Sequence, residues 1–114
     1  MLAAEAQRRG PVLISGLEKI AASTRKEPKK IEALRVEAHG LKGAALVVGQ
    51  ERLAELARLV ELFLKDQIEV GRIEPGTAAI VIAAASAFTE GAEAAAEGVG
   101  EPKAVGESIE ALSR

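Results

Sequence analysis

Apolar positions recur along this chain at intervals of three and four residues, the spacing that gathers side chains on one face of an α-helix. From Pro28 to about Val48, the residues Ile31, Leu34, Ala38, Leu41, Ala45 and Val48 hold that spacing without a break. From Gly49-Gln50 to about Val70, the inner positions are Leu53, Leu56, Ala57, Val60, Leu64 and Ile68, with Glu51, Arg52, Glu55, Arg58 and Glu69 outside. Leu13, Leu17, Ile20 and Ala21 predict a helix from Pro11 to about Arg25, and Leu2 to Arg9 predicts a separate turn or two ahead of it. A further segment, Pro75 to about Glu97, is alanine-rich and apolar in its first half, and Val105, Ile109 and Leu112 define a last short helix from about Pro102. No alternating run long enough for a strand remains.

The breaks in this pattern carry the topology. Pro11, Pro28, Pro75 and Pro102 each stand at the head of a helical segment, where a missing backbone donor costs nothing. Gly49, Gly71, Gly98 and Gly100 fall at the opposite ends or in the connections. The turn at Gly49-Gln50 is so short that the helices on either side form an antiparallel hairpin. The expected fold is therefore all-α: an antiparallel up-down four-helix bundle with short extra helices at the termini, occupying residues 1–114 as one domain.

Composition narrows the chemistry more than the fold. With no cysteine there is no disulfide framework and no thiolate nucleophile, and one histidine with one aspartate, Asp66, does not build a usual zinc site. Only Phe63 and Phe88 are aromatic, so the stacking platforms of single-strand nucleic-acid binders are missing. The net charge of −2 is unevenly spread. Residues 1–72 carry thirteen basic and ten acidic side chains, a balance of +3, and residues 73–114 carry two and seven, a balance of −5. A mildly basic half suits an acidic partner surface, and it is too weak for a nucleic-acid footprint. The longest apolar run, Thr77 to Phe88, has twelve residues, against about 20 for a membrane span. It reads as a buried bundle helix, and the N-terminus shows no secretory pattern, so a cytoplasmic protein without a membrane span is expected. No GxxxxGK[ST] loop, dinucleotide glycine fingerprint or nucleophile-elbow serine occurs.

What chemistry there is gathers around His39, the only histidine. Arg35, His39, Lys42 and Leu46 lie at i, i+4, i+7 and i+11, a stripe rotated away from the buried one, so the imidazole is expected to face solvent. Gly43 lies one turn beyond it, in a helix interior where glycine costs about 1 kcal/mol relative to alanine. Lys42 stands where its ammonium reaches an anion carried by the ring. Counting outward from Gly49 at equal rise per residue brings Arg58, Glu61, Leu62 and Lys65 level with His39. Glu61 then accepts a hydrogen bond from Nδ1–H and leaves Nε2 with its lone pair as a nucleophile. An ordinary imidazole titrates at about 6.5 and is mostly unprotonated in neutral solution. Taken singly, each feature also has an ordinary structural reading: a surface histidine, glycines for close helix packing, and Glu61 paired with Arg58 or Lys65.

Together, His39-x-Leu41-Lys42-Gly43 and the following Gly49, with similarity continuing from Arg35 to Glu61, resemble the signature of histidine-containing phosphotransfer (HPt) domains. The resemblance implies a four-helix bundle whose exposed histidine carries a phosphoryl group between a histidine kinase or receiver domain and a response-regulator aspartate. On this pattern His39 is the phosphorylated residue, Lys42 the conserved lysine, Gly43 the clearance glycine and Glu61 the residue supporting the ring. It implies no bound cofactor, since ATP and Mg²⁺ are handled by the partner, and a monomer as an isolated domain. The acidic fifth segment and the extra short helix also resemble the N-terminal domain of chemotaxis-type kinases. Two positions depart from the commonest pattern: Gly40 directly follows the histidine, and Arg58 stands where glutamate or glutamine is frequent. A helical docking module without phosphotransfer, binding through the Leu46/Gly43 surface, is the alternative function.

Overall fold

A computed structural model describes all residues, Met1–Arg114, as five helices and no strand. They are α1 (Leu2–Ala22), α2 (Pro28–Val47), α3 (Glu51–Gln67), α4 (Pro75–Ala96) and α5 (Lys103–Ser113). The molecule is elongated, 43 × 23 × 18 Å. Helix α2 packs on α1 and α3, and α4 also packs on α1 and α3, so the four long helices close a ring in which the backbones of α1 and α3, like those of α2 and α4, stand diagonally across the core from each other. Helix α5 covers one end of α3 and α4.

The apolar stripes meet inside that ring. Ile31, Leu34, Ala38, Leu41 and Ala45 of α2 are buried, as are Leu53, Leu56, Ala57, Val60 and Leu64 of α3. Alanines supply most of the buried face of α4, with Phe88 as the largest fully buried side chain of the protein. Val105 is fully buried and Ile109 and Leu112 pack against the core from α5. Val48 is a correction: it lies one residue past the end of α2 and is exposed, because the turn begins there. Ile68, just past α3, is half-buried rather than buried.

The main correction concerns the N-terminus. Instead of a separate turn followed by a helix starting at Pro11, α1 runs unbroken through Gly10-Pro11. The buried residues explain why: Leu2, Ala6, Gly10, Leu13, Leu17 and Ile20 form one stripe that stays in phase across the proline. Pro11 withholds the donor that Gln7 O would receive, yet both residues are exposed, so water can serve that carbonyl. Gly10 lets α1 approach α4, since a side chain there would run into Thr89 Oγ1 at 2.7 Å.

Other boundaries follow the expected punctuation. Pro28 and Pro75 occupy the first turns of α2 and α4. The α2–α3 turn is closed by Gly49 at φ +74°. Its N–H donates to Leu46 O at 3.1 Å, while Gln50 N–H donates to Ala45 O at 2.9 Å. This is a Schellman ending, which needs a left-handed residue that only glycine supplies without strain. Gly98 ends α4 in the same way.

Helix α4 is long and apolar enough to cross a membrane by length and composition, with a mean hydropathy of 1.3 over 18 residues. The twelve-residue apolar run understates it because alanines continue the helix beyond Phe88. Half of that window is buried inside the bundle, as in the core helix of a water-soluble protein.

Candidate functional site around His39

The α2–α3 hairpin assembles the site, because its short turn fixes the register of one helix against the other. Glu61 of α3, a half-buried residue level with His39, is the centre. Its carboxylate is only 12% exposed and receives three groups from α2. His39 Nδ1 lies 2.9 Å from Oε2, Arg35 Nη1 donates to the same oxygen at 3.0 Å, and Lys42 Nζ meets Oε1 at 2.9 Å. The three donors come from positions i, i+4 and i+7 of one helical stripe, so a single carboxylate one helix away can gather them all.

The imidazole itself is open, at 61% exposure. A carboxylate accepts hydrogen bonds only, so the Nδ1 contact requires a proton on that nitrogen. In the neutral ring Nε2 is then the unprotonated nitrogen, turned away from the Glu61 contact. Burial alone would raise the Glu61 carboxyl, but hydrogen bonds from Lys42 and His39 outweigh it and hold the group below the ordinary carboxylate value. The sign follows by linkage. The anion-based network adds stability above the ordinary carboxylate range, and this is lost as pH falls through the depressed value. Arg35 is anchored a second time, through Nε on Glu32, and its guanidinium is pushed further toward the charged form chiefly by that bond.

Beside the carboxylate runs an open groove of about 660 Å³ lined by Glu32, Arg35, Lys42, Arg58, Glu61, Leu62, Lys65 and Ile68. Of the four residues that helical counting brings level with His39, only Glu61 bonds to the ring. Leu62 and Lys65 line the groove, and Arg58 turns to Glu55 with a 2.8 Å hydrogen bond. The pairing of Glu61 with Arg58 or Lys65, left open by the sequence, does not form; Arg35 and Lys42 take those positions. Lys42, expected beside an anion on the ring, rests on Glu61.

The two glycines next to His39 separate cleanly. At Gly43 an added Cβ meets nothing within 4 Å, so no packing inside this chain calls for glycine there. At Gly40 the Cβ would lie 2.5 Å from Arg9 Cζ. Arg9 crosses from α1 over this bare backbone, bonding to Glu5 at 2.9 Å and to Glu37 at 3.0 Å. Gly40 is thus a seat for an arginine of another helix. Sequence reasoning missed both this and the role of Arg35; the position of Arg35 one turn before His39, on its stripe, was the available signal for the latter.

Fold and site together define an all-helical protein that presents one solvent-facing imidazole, oriented by a carboxylate from the neighbouring helix. Residues 1–112 match the model of the family described as Hpt domain, and the chain belongs to that family. No curated protein matches it. The family acts in phosphotransfer within two-component signalling, where Hpt domains interact with kinases and receiver domains.

Proposed function

We propose that this protein is a phosphorelay intermediate that carries a phosphoryl group on Nε2 of His39, between a histidine kinase or receiver domain and a response-regulator aspartate. The observation that carries the reading is the division of labour on the ring: Nδ1 is held 2.9 Å from Glu61 while the imidazole remains open to an incoming partner. In the transfer, the Nε2 lone pair attacks phosphorus and the N–P bond forms as the donor's P–O bond breaks. The electron pair leaves on the donor oxygen, and the positive charge gained by the ring is offset by Glu61. Lys42 moves to the phosphoryl oxygens. ATP and Mg²⁺ are handled by the partner, and the cationic groove beside the ring suits that partner's acidic surface.

The finer assignments belong to the same proposal. The ring of long helices is an up-down antiparallel bundle, working as a monomer in the cytoplasm. The packing of α5 on α3 and α4 and the acidic C-terminal part support a chemotaxis-kinase type of Hpt domain.

Incubating the protein with a phosphorylated receiver domain, or with a kinase catalytic core and ATP, is expected to add one phosphoryl group that is labile in acid. Partner binding with no phosphate taken up from any donor would instead identify a docking module. Gly43 offers an independent check. Gly43→Ala is expected to stabilise the fold by about 0.5–1 kcal/mol, because a helix-interior glycine is replaced where space is open. The same change is expected to slow transfer, since the partner is the only thing the new methyl can obstruct. Thermal denaturation and transfer rates measured on one preparation decide it, and an unchanged rate would remove Gly43 from the site.

A further inference from the structure

The network at Glu61 contains one cation for which the phosphorelay reading has no use. Arg35 reaches 26 positions along the chain to place Nη1 3.0 Å from Glu61 Oε2, the oxygen that also receives His39 Nδ1. Lys42 holds the other oxygen. The resting carboxylate is therefore held by two cations and a ring N–H, more than a single carboxylate needs for neutrality.

The surplus has a consequence once a phosphoryl group sits on Nε2. That group draws the Lys42 ammonium, a single-point donor on a flexible stem, away from Glu61. The carboxylate, 12% exposed, would then keep only the imidazole if Arg35 were absent. A largely buried carboxylate with one donor is costly, so Lys42 would stay where it is. Arg35 does not face that choice. Its Nε is tied to Glu32, its guanidinium is always charged, and it stands one helical turn before His39.

We propose that Arg35 is a positioning residue: its hydrogen bond to Oε2 keeps the Glu61 carboxylate seated on His39 Nδ1, and by doing so it releases Lys42 to the phosphoryl group. The release rests on the phosphocarrier reading; the seating of the ring does not.

The test uses Arg35→Ala, Arg35→Lys and Lys42→Ala, alone and combined, in the full chain. Long-range ¹H–¹⁵N correlation on labelled protein reads the His39 tautomer without any phosphate. The expected result is a proton confined to Nδ1 in the parent protein, a tautomer mixture in Arg35→Ala, and recovery in Arg35→Lys. Transfer from a phosphorylated receiver is expected to fall about tenfold in Arg35→Ala. In that background Lys42→Ala should cost much less than it does in the parent, because Lys42 is already held back. A folded Arg35→Ala protein with the parent tautomer overturns the seating, and effects of Arg35 and Lys42 that simply multiply overturn the release. If Arg35→Ala does not fold, Arg35→Gln and Arg35→Lys carry the same comparison. A parent protein that takes up no phosphate defeats the phosphocarrier reading, and the release with it, while the tautomer measurement still decides the seating.

Discussion

His39→Gln is expected to abolish acid-labile phosphate uptake while leaving the helical fold and its thermal stability nearly unchanged. The imidazole is mostly in solvent and contributes nothing to the core, so the substitution opens no cavity. Glutamine keeps a polar group near Glu61, whose carboxylate retains Arg35 and Lys42. Surface changes of this kind move stability by no more than about 0.5 kcal/mol. The chemical loss is complete because a carboxamide nitrogen has no lone pair free to attack phosphorus, and the chain holds no second histidine. Labelling by a phosphorylated receiver, followed by acid treatment, measures the first half, and circular dichroism with thermal melting measures the second. Undiminished acid-labile phosphate on the variant would sink the functional reading.

Phe88→Ala is expected to produce the opposite pattern, a large loss of stability with no direct effect on the chemistry. Phe88 is 2% exposed and the largest fully buried side chain. Removing a buried phenyl ring costs about 3–5 kcal/mol in transfer and cavity terms. Its neighbours on α4 are mainly alanines, which have little reach with which to fill the space. A domain of ordinary stability has about 5–15 kcal/mol in total, so the variant would approach the threshold of folding. The groups bonded around His39 come from α2 and α3 and none from α4, so the folded fraction should still accept phosphate at the parent rate. Urea unfolding with an unchanged slope gives the energy. A loss below about 1 kcal/mol would show that the alanine-rich layer collapses onto the vacancy.

How far the sequence could be read depended on whether a feature was local. The stripes of α2 and α3 were legible because periodicity reports burial directly, and Glu61 was legible because two helices of equal rise joined by a short turn keep a countable register. The continuity of α1 was not. Local rules stop a helix at Pro11, and only the shared burial of Leu2, Ala6 and Gly10 with Leu13 overrides them. Gly40 could not be explained from its own helix, since the side chain that needs it belongs to Arg9, 31 positions earlier and on α1. Arg35 lay on the correct stripe, but which of Arg35, Arg58 and Lys65 takes the one carboxylate depends on the other partners each cation finds, which spacing does not contain. Arg58 is drawn off by Glu55 on its own helix.

The Schellman turn at Gly49 is the zero mark from which the site is measured. The level of each partner along its helix depends on how many residues separate it from that point, and one residue added or removed inside α2 between His39 and the turn would rotate the imidazole about 100° around the helix axis relative to α3. Such a change would turn the buried stripe Ile31, Leu34 and Ala38 away from the core as well, so packing and chemistry are tied to one count.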